Sequence, residues 1–517
     1  MYVDHPLIKE NSIQDRGYQR TLADSCYYYS TLVVLPTGLG KTVIALLVMA
    51  ETLHHQGGKA LFLAPTKPLV EQHASFLMGH LVGKSVIQMT GEKDPETRSL
   101  EWSHNDVIVS TPQVIANDLR KGRIDLRDVK LVIFDEAHRA VGRYAYVAIA
   151  NALKAGTSRV MGITASPGGT KARIKAVCDN LNVRNIEVRS EDDPDVVEHI
   201  HDISLELVTV DLPPRMREIS ALLRSMYDTY TGQLVNMGFL KAEAASSVRY
   251  VIEMNKSLRI KAHARKSNGF VFKAMSLQAM AIKVGHAMQL AETQGVAPLT
   301  NYLGKLKAEA RSKSGSKASQ RIVSAPQFLA LEALLGDMEE VHPKMPEVVR
   351  MVSSQLQRNP DSKVMVFTNY RDSCEAVSRC LAEIEGARIS KLIGQTSRAN
   401  DKGQRQSEQV EVLSRLRRGD INTIVATCVG EEGLDVANTD LVIFYEPVPS
   451  EIRSIQRRGR TGRSRPGRVV VLITAGTSDE PSLSSSTRKE EAMRRHLLKI
   501  KQGWNSLEEA RQEGEAA

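Results

Sequence analysis

The sequence predicts an α/β protein of two parallel-sheet lobes with a helical, basic insertion domain between them, and three observations carry that reading. Short β-branched and apolar runs alternate with helical patterns toward both ends of the 517-residue chain. That is the rhythm of βαβ units whose strands are buried on both faces. Such runs nearly vanish between about 214 and 338, where Ala, Leu, Met, Lys and Arg take over. The positive charge collects in that same stretch. Lys241 to Arg321 holds 15 Lys or Arg against four acids, an excess of 11, in a chain of net charge +9, so the remainder carries a net −2.

In the first lobe the expected strands are TLVVL (31–35), ALFLA (60–64), VIVS (107–110), LVIFD (131–135) and RVMGIT (159–164). In the second they are KVMVF (363–367), TIVAT (423–427), LVIFY (441–445) and VVVLI (469–473). Between them, apolar residues at helical spacing, such as Leu222, Leu223, Met226 and Tyr227, argue for helices. RSKSGSKASQ (311–320) reads as a flexible basic loop, and a last helical stretch is expected at about 486–513. The boundaries that follow are 1–212, 213–338, 339–480 and a C-terminal helical extension, 481–517.

Composition narrows the class. With 42% hydrophobic and 25% charged residues the chain is an ordinary globular one, and its length exceeds what one core holds. Five cysteines without a CxxC pair or a His/Cys cluster argue against a disulfide framework or a zinc site. They read as buried, reduced thiols of a cytosolic protein. The N-terminal MYVDHPLIKE lacks a basic segment followed by an apolar one, so secretion is not expected. No run of 18 apolar residues is present, so no membrane span is expected either.

LPTGLGKT (35–42) follows the first strand and opens the helical VIALLVMAETL. A strand, a glycine-containing loop ending in GKT and a helix is the context of a phosphate-binding loop. The bare backbone of Pro36, Thr37, Gly38, Leu39 and Gly40 would face phosphates, with N–H groups offered by the last four and by the helix start. Lys41 would reach the β- and γ-phosphates and the Thr42 hydroxyl would bind Mg²⁺, which points to ATP and Mg²⁺ as cofactors. One departure from the usual pattern is Leu35 where a first glycine is customary. LVIFDEAH (131–138) is an apolar strand ending in paired acids. There Asp135 suits the Mg²⁺ and Glu136 a general base that polarises the attacking water. Near the end of the second lobe, QRRGRTGR (456–463) combines arginines with glycines that allow close approach. Arg460 and Arg463, supplied across a cleft, would stabilise charge on the transferring phosphoryl group.

Taken in order, LPTGLGKT, DEAH, TAS (164–166) and QRRGRTGR resemble motifs I, II, III and VI of superfamily 2 helicases. DEAHRAVGRYAY, TASPGG, FTNYRDS, VGEEGLDV and FYEPVPSEIRSIQRRGRTGR are similar to the archaeal Hef helicases and their eukaryotic relative FANCM. These belong to the branch shared with RIG-I-like and Dicer helicases. The resemblance covers about 16–480 and implies two RecA-like lobes. It implies that Arg16 and Gln19, in RGYQ, form an adenine-side motif with Gln19 reading the base. Gly433 and Asp435 would sense ATP from the second lobe, and Gln456 would lie near the γ-phosphate. APTKPLVEQ, TGE and STPQ resemble first-lobe backbone-binding motifs, bringing in Thr66, Lys67, Thr90, Gly91 and Thr111. TNY and ATCVGEEG supply Thr368, Asn369 and Thr427 from the second. Small hydroxyl residues at strand ends suit phosphate contact and read no sequence.

The resemblance further implies an insertion that grips branched DNA, with Lys256, Arg259, Lys261, Arg265 and Lys266 as candidates. The expected partner is therefore forked or branched DNA, bound without sequence preference, in the cytoplasm on an archaeal or prokaryotic nucleoid. The ERKxxxD nuclease signature that accompanies Hef is not found, so no nuclease activity is expected of this polypeptide. Sliding-clamp or repair-protein partners leave no mark in the sequence. A double-stranded RNA translocase and a nucleotide-gated clamp that does not unwind are the alternative readings.

Overall fold

The computed structural model describes residues 1–154, 156–199, 203–264, 269–312, 315–336, 338, 341–395, 403–427, 439–448, 450 and 467–515. In the first lobe β1 (Thr31–Val34), β2 (Lys59–Leu63), β3 (Val86–Met89), β4 (Val107–Ser110), β5 (Val129–Asp135), β6 (Arg159–Thr164) and β7 (Asn185–Val188) form one sheet. Its order is β3-β4-β2-β5-β6-β1-β7 and its pairings are parallel. The connecting helices are α1 (Gly17–Tyr28), α2 (Lys41–His55), α3 (Lys67–His80), α4 (Pro95–His104), α5 (Pro112–Arg120), α6 (Ala145–Leu153) and α7 (Lys171–Leu181). Alternate strand residues feed two cores. Val33, Phe62 and Ile133 pack into one, while Leu32, Leu61 and Phe134 pack into the other. Burial on both faces is why these strands read as unbroken apolar runs.

The helical middle comprises α8 (Pro214–Asn236), α9 (Val248–Ala264), α10 (Gly269–Thr293), α11 (Val296–Arg311), α12 (Lys317–Val323) and α13 (Pro326–Gly336) around its own core. The basic loop expected at 311–320 is shorter than the sequence suggested. Residues 317–320 already belong to α12, because Ala318 and Ile322 turn inward onto that core. α8, α9 and α10 approach closely at Gly285, where an added Cβ would lie 2.7 Å from Val248 Cγ2 and 3.2 Å from Tyr227 Cε2. Gly285→Val is therefore expected to destabilise the insertion by about 1–3 kcal/mol, read as a lowered urea midpoint.

The second lobe contains α14 (Lys344–Arg358), β9 (Val364–Phe367), α15 (Arg371–Ala382), β10 (Ile389–Leu392), α16 (Gln406–Arg418), β11 (Thr423–Ala426), β12 (Leu441–Phe444) and β13 (Gly467–Thr474). Its sheet runs β10-β11-β9-β12-β13-β8, also parallel, and β8 (Ile203–Val210) corrects the first expected boundary. This strand precedes the insertion, yet it pairs along its whole length with β13, from Ile203 beside Gly467 to Val210 beside Thr474. Arg468 adds a two-pronged ion pair to Glu206 at 2.6 and 2.9 Å. The chain thus crosses to the second lobe before the insertion begins. It crosses back through α17 (Asp479–Glu515), whose Met493 and Leu497 join the first-lobe core. The expected C-terminal extension is a strap between lobes, and its helix begins at Asp479, ahead of both the helical stretch expected at about 486–513 and the boundary at 481.

Cys26, Cys178 and Cys374 are buried and Cys380 is half-buried, all as free thiols, while Cys428 lies outside the described residues. Among the described residues no helix is long and apolar enough to cross a membrane.

Candidate nucleotide site and nucleic-acid cleft

The GKT loop leaves the carboxyl end of β1 and enters α2 through two glycines in the left-handed region, Gly38 (φ 90°) and Gly40 (φ 77°). Gly40 carries a second constraint, because a Cβ there would collide with the Gln19 amide. That amide donates to the Leu39 carbonyl at 3.1 Å, and the Tyr18 hydroxyl donates to the same carbonyl at 2.8 Å. α1 therefore fixes the loop from behind. Gln19 is placed at the loop but is buried and bonded to it, and Arg16 caps α1 with its guanidinium 3.5 Å from the Tyr18 hydroxyl. Lys41 donates to the carbonyls of Leu35 (2.9 Å) and Pro36 (3.1 Å). Pro36 and Thr37 also border a cavity of about 140 Å³ shared with Ala165, Met493 and Leu497.

Asp135 ends β5, two strands from β1 and separated from it by β6. Its backbone carbonyl accepts a 2.6 Å hydrogen bond from Tyr146 Oη. Its carboxylate Oδ2 lies 2.9 Å from His73 Nε2, and His73 Nδ1 lies 3.5 Å from Thr42 Oγ1. One imidazole thus spans the loop hydroxyl and the strand-end carboxylate, bringing two hard oxygen donors to one place. That donor set fits a cation of the Mg²⁺ type, which prefers carboxylate and other oxygen ligands.

Glu136 occupies the left-handed region at φ 48° and ψ 51°, a conformation that costs a non-glycine residue energy and recurs at functional sites. Its Oε2 lies 3.3 Å from His138 Nδ1, is shielded from solvent and makes no well-formed hydrogen bond. Burial works to raise its pKa. The His138 contact and the charges of Lys41 and Arg139 outweigh that, so Glu136 is held below the ordinary glutamate value. An ionised carboxylate with an oxygen to spare can accept a proton. His138 Nδ1 also lies 3.1 Å from Thr164 Oγ1, which accepts the Ser166 N–H, joining the acidic motif to TAS at the end of β6. Ser166 Oγ in turn lies 2.9 Å from Met493 Sδ on α17.

The sheet separates the two groups of candidates. Lys41, Thr42, Asp135, Glu136 and Thr164 gather at the carboxyl ends of β1, β5 and β6. Thr66, Lys67, Thr90, Gly91 and Thr111 follow the ends of the neighbouring β2, β3 and β4. Thr66 and Thr111 stand at helix N-caps without a side-chain capping bond, and Lys67 pairs with Glu92 at 2.7 Å. In the second lobe Thr368 and Asn369 follow β9, and Thr427 follows the adjacent β11. Both threonines are buried. The Thr368 hydroxyl donates to the Tyr370 carbonyl at 3.1 Å, and the Asn369 backbone N–H donates to Glu446. These bonds shape the loop that follows β9. Gly433, Asp435, Gln456, Arg460 and Arg463 lie outside the described residues. So do Arg265, Lys266 and the side chains of Lys256, Arg259 and Lys261.

Sequence reasoning missed Tyr18, His73, Tyr146 and Met493. A lone histidine or tyrosine on the apolar face of a helix reads as core, although Tyr18 lies within RGYQ, His73 directly follows APTKPLVEQ and Tyr146 lies within DEAHRAVGRYAY.

The two parallel-sheet lobes and the order of these motifs define a superfamily 2 helicase of the DEAD/DEAH box type. Residues 11–174 match the DEAD/DEAH box helicase family, 344–465 the helicase conserved C-terminal domain, and 215–342 the family described as "Putative ATP-dependent RNA helicase, helical bundle". More particularly, the chain belongs to the Hef family. It is 43% identical to the Hef helicase domain of Pyrococcus furiosus, covering 93% of this chain and all of that one, with a TM-score of 0.70. A "Putative ATP-dependent RNA helicase" of Methanocaldococcus jannaschii is 36% identical over 96% of this chain and 62% of its own length. The ATP-dependent DNA helicase mph1 of Sclerotinia sclerotiorum is 32% identical over 93% of this chain. The chain spans 41% of that relative's length and so corresponds to part of both.

Proposed function

We propose that this chain is an ATP-driven DNA helicase or translocase that remodels or unwinds forked and branched DNA during repair and replication restart, working in the cytoplasm on the nucleoid. The observation that carries this reading is the convergence of Lys41, Thr42, Asp135 and Glu136 at the carboxyl ends of β1 and β5, with only β6 between them, in a chain so similar to the Hef helicase domain. Lys41 counters the β- and γ-phosphate charge. Thr42 and Asp135 supply oxygen ligands to Mg²⁺, which when bound neutralises charge developing on the phosphoryl oxygens. Glu136 takes the proton of the attacking water. Gly433, Asp435, Gln456, Arg460 and Arg463 complete the site from the second lobe, and Gln19 lies on the adenine side. Thr66, Lys67, Thr90, Gly91, Thr111, Thr368, Asn369 and Thr427 line the strand-holding cleft, whose contacts with sugar and phosphate read no sequence.

A duplex-RNA reading has one specific support, the words "RNA helicase" in the names of the M. jannaschii relative and of the helical-bundle family. ATPase rates with forked DNA, linear duplex DNA and duplex RNA separate the readings. Forked DNA is expected to stimulate most, and stronger stimulation by duplex RNA would reverse the assignment. Nucleotide binding without turnover on any of the three would leave only the clamp.

The basic insertion supplies a surface for recognising a branch. Changing Lys256, Arg259, Lys261, Arg265 and Lys266 together to Gln is expected to weaken fork binding. It should also flatten the log–log salt dependence by about 0.9 for each phosphate that is no longer neutralised. ATPase activity at saturating single-stranded DNA should stay at the parent level. An unchanged salt slope with unchanged fork affinity would make the insertion a spacer.

A further inference from the structure

His73 is nearly buried on α3 and touches both groups assigned above to the cation. We propose that it is a positioning residue for Thr42 and Asp135, an inference that rests on the reading of those two as the Mg²⁺ ligands. An ionised Asp135 can only accept, so the Nε2 that stands 2.9 Å from it carries the proton. In the neutral ring Nδ1 is then an acceptor, and it faces the Thr42 hydroxyl at 3.5 Å, the long end of a hydrogen bond. A hydroxyl that gives its proton toward Nδ1 turns its lone pairs away from the ring, where they would be available to a bound cation. A carboxylate whose Oδ2 is held by Nε2–H keeps its other oxygen for the same cation.

The ring has little freedom to leave this arrangement. The fully buried Phe62 of β2 packs on it with ring centroids 4.4 Å apart and planes inclined by 33°. A histidine held on one side by packing and on the other by a ligating oxygen orients the groups that touch the cation and tunes their affinity. Partners of this kind are commonly worth about 10–100-fold in metal affinity or activity.

The test uses two variants of matched length. His73→Gln keeps an N–H donor for Asp135 and an acceptor for Thr42, whereas His73→Met fills similar space with neither. Binding of a fluorescent ADP analogue is titrated with Mg²⁺ and repeated in EDTA, with Asp135→Asn in parallel and folding of each variant checked by circular dichroism. His73→Met is expected to raise the Mg²⁺ concentration for half-maximal enhancement by about 10–100-fold and to leave metal-free affinity unchanged. His73→Gln should return to within a few-fold of the parent. Parent-like Mg²⁺ dependence in His73→Met, with Asp135→Asn impaired, would overturn the proposal and leave the ligand reading standing. Parent-like Mg²⁺ dependence in Asp135→Asn would overturn both. If His73→Met fails to fold, the His73→Gln titration decides: a large loss of Mg²⁺ enhancement in that variant counts against positioning by these two bonds.

Discussion

Glu136→Gln is expected to bind ATP as the parent chain does and to hydrolyse it about 10²–10⁴-fold more slowly, the range over which a positioned general base contributes. The substitution keeps the side chain's shape and removes only its basicity. The left-handed backbone that presents it, φ 48° at Glu136, is set by the turn that follows β5 within the DEAH segment and should survive. The contrast is Lys41→Ala, which takes away the side-chain cation of the loop and should weaken nucleotide binding as well as turnover, by at least about 10²-fold. Measuring nucleotide affinity and single-turnover hydrolysis on both variants separates the two. Parent-rate hydrolysis by Glu136→Gln would remove it from the role of base. The pH profile adds a check. Because Glu136 is held below the ordinary glutamate value, it stays ionised to lower pH than a free glutamate does. Loss of rate through its protonation is therefore displaced toward lower pH.

Asp479→Ala is expected to cost about 3–5 kcal/mol of stability, the usual consequence of leaving a buried charge without its partner. Lys344, at the start of α14, is fully buried, and its Nζ lies 2.5 Å from Asp479 Oδ2 at the start of α17. Its Nζ also lies 5.6 Å from the Tyr445 ring centroid. Asp479 Oδ2 additionally accepts the Thr474 N–H at 3.0 Å, so one oxygen ties β13 to both helices. Nearby His342 brings no negative charge: burial, reinforced by the Lys344 charge, lowers its pKa to about 3, and a histidine is in any case neutral or cationic. Removing both charges together, as Lys344→Met with Asp479→Leu, should recover much of the loss, because no bare ammonium then remains. Urea midpoints of the single and double variants test this. A cost below about 1 kcal/mol for Asp479→Ala would show that the ammonium finds other compensation.

The strands that were legible in advance and those that were not differ in one physical respect. TLVVL, ALFLA, VIVS, LVIFD and RVMGIT all lie inside the first sheet, and the four second-lobe runs lie inside the other. The unforeseen strands are β3, β7, β8 and β10, the outermost strands of the two sheets. An edge strand is paired on one side and partly wet. VIQM, NIEV, ISLELVTV and ISKL therefore mix polar and apolar residues and carry no unbroken apolar run.

By itself the sequence determined what depends on local sterics and on burial from both sides. It marked the interior strands, the glycine-containing GKT loop, the acidic end of β5 and the break to a basic helical middle, since each is written in neighbouring residues. The tertiary structure alone decided which sheet β8 would join, that α17 would return Met493 and Leu497 to the first-lobe core, and that His73 would stand between Thr42 and Asp135. Those outcomes require segments far apart in the chain to meet. The pairing partner of a half-exposed strand, and the neighbours of a single buried ring, are chosen by the packing of whole layers and leave no periodic trace in the residues beside them.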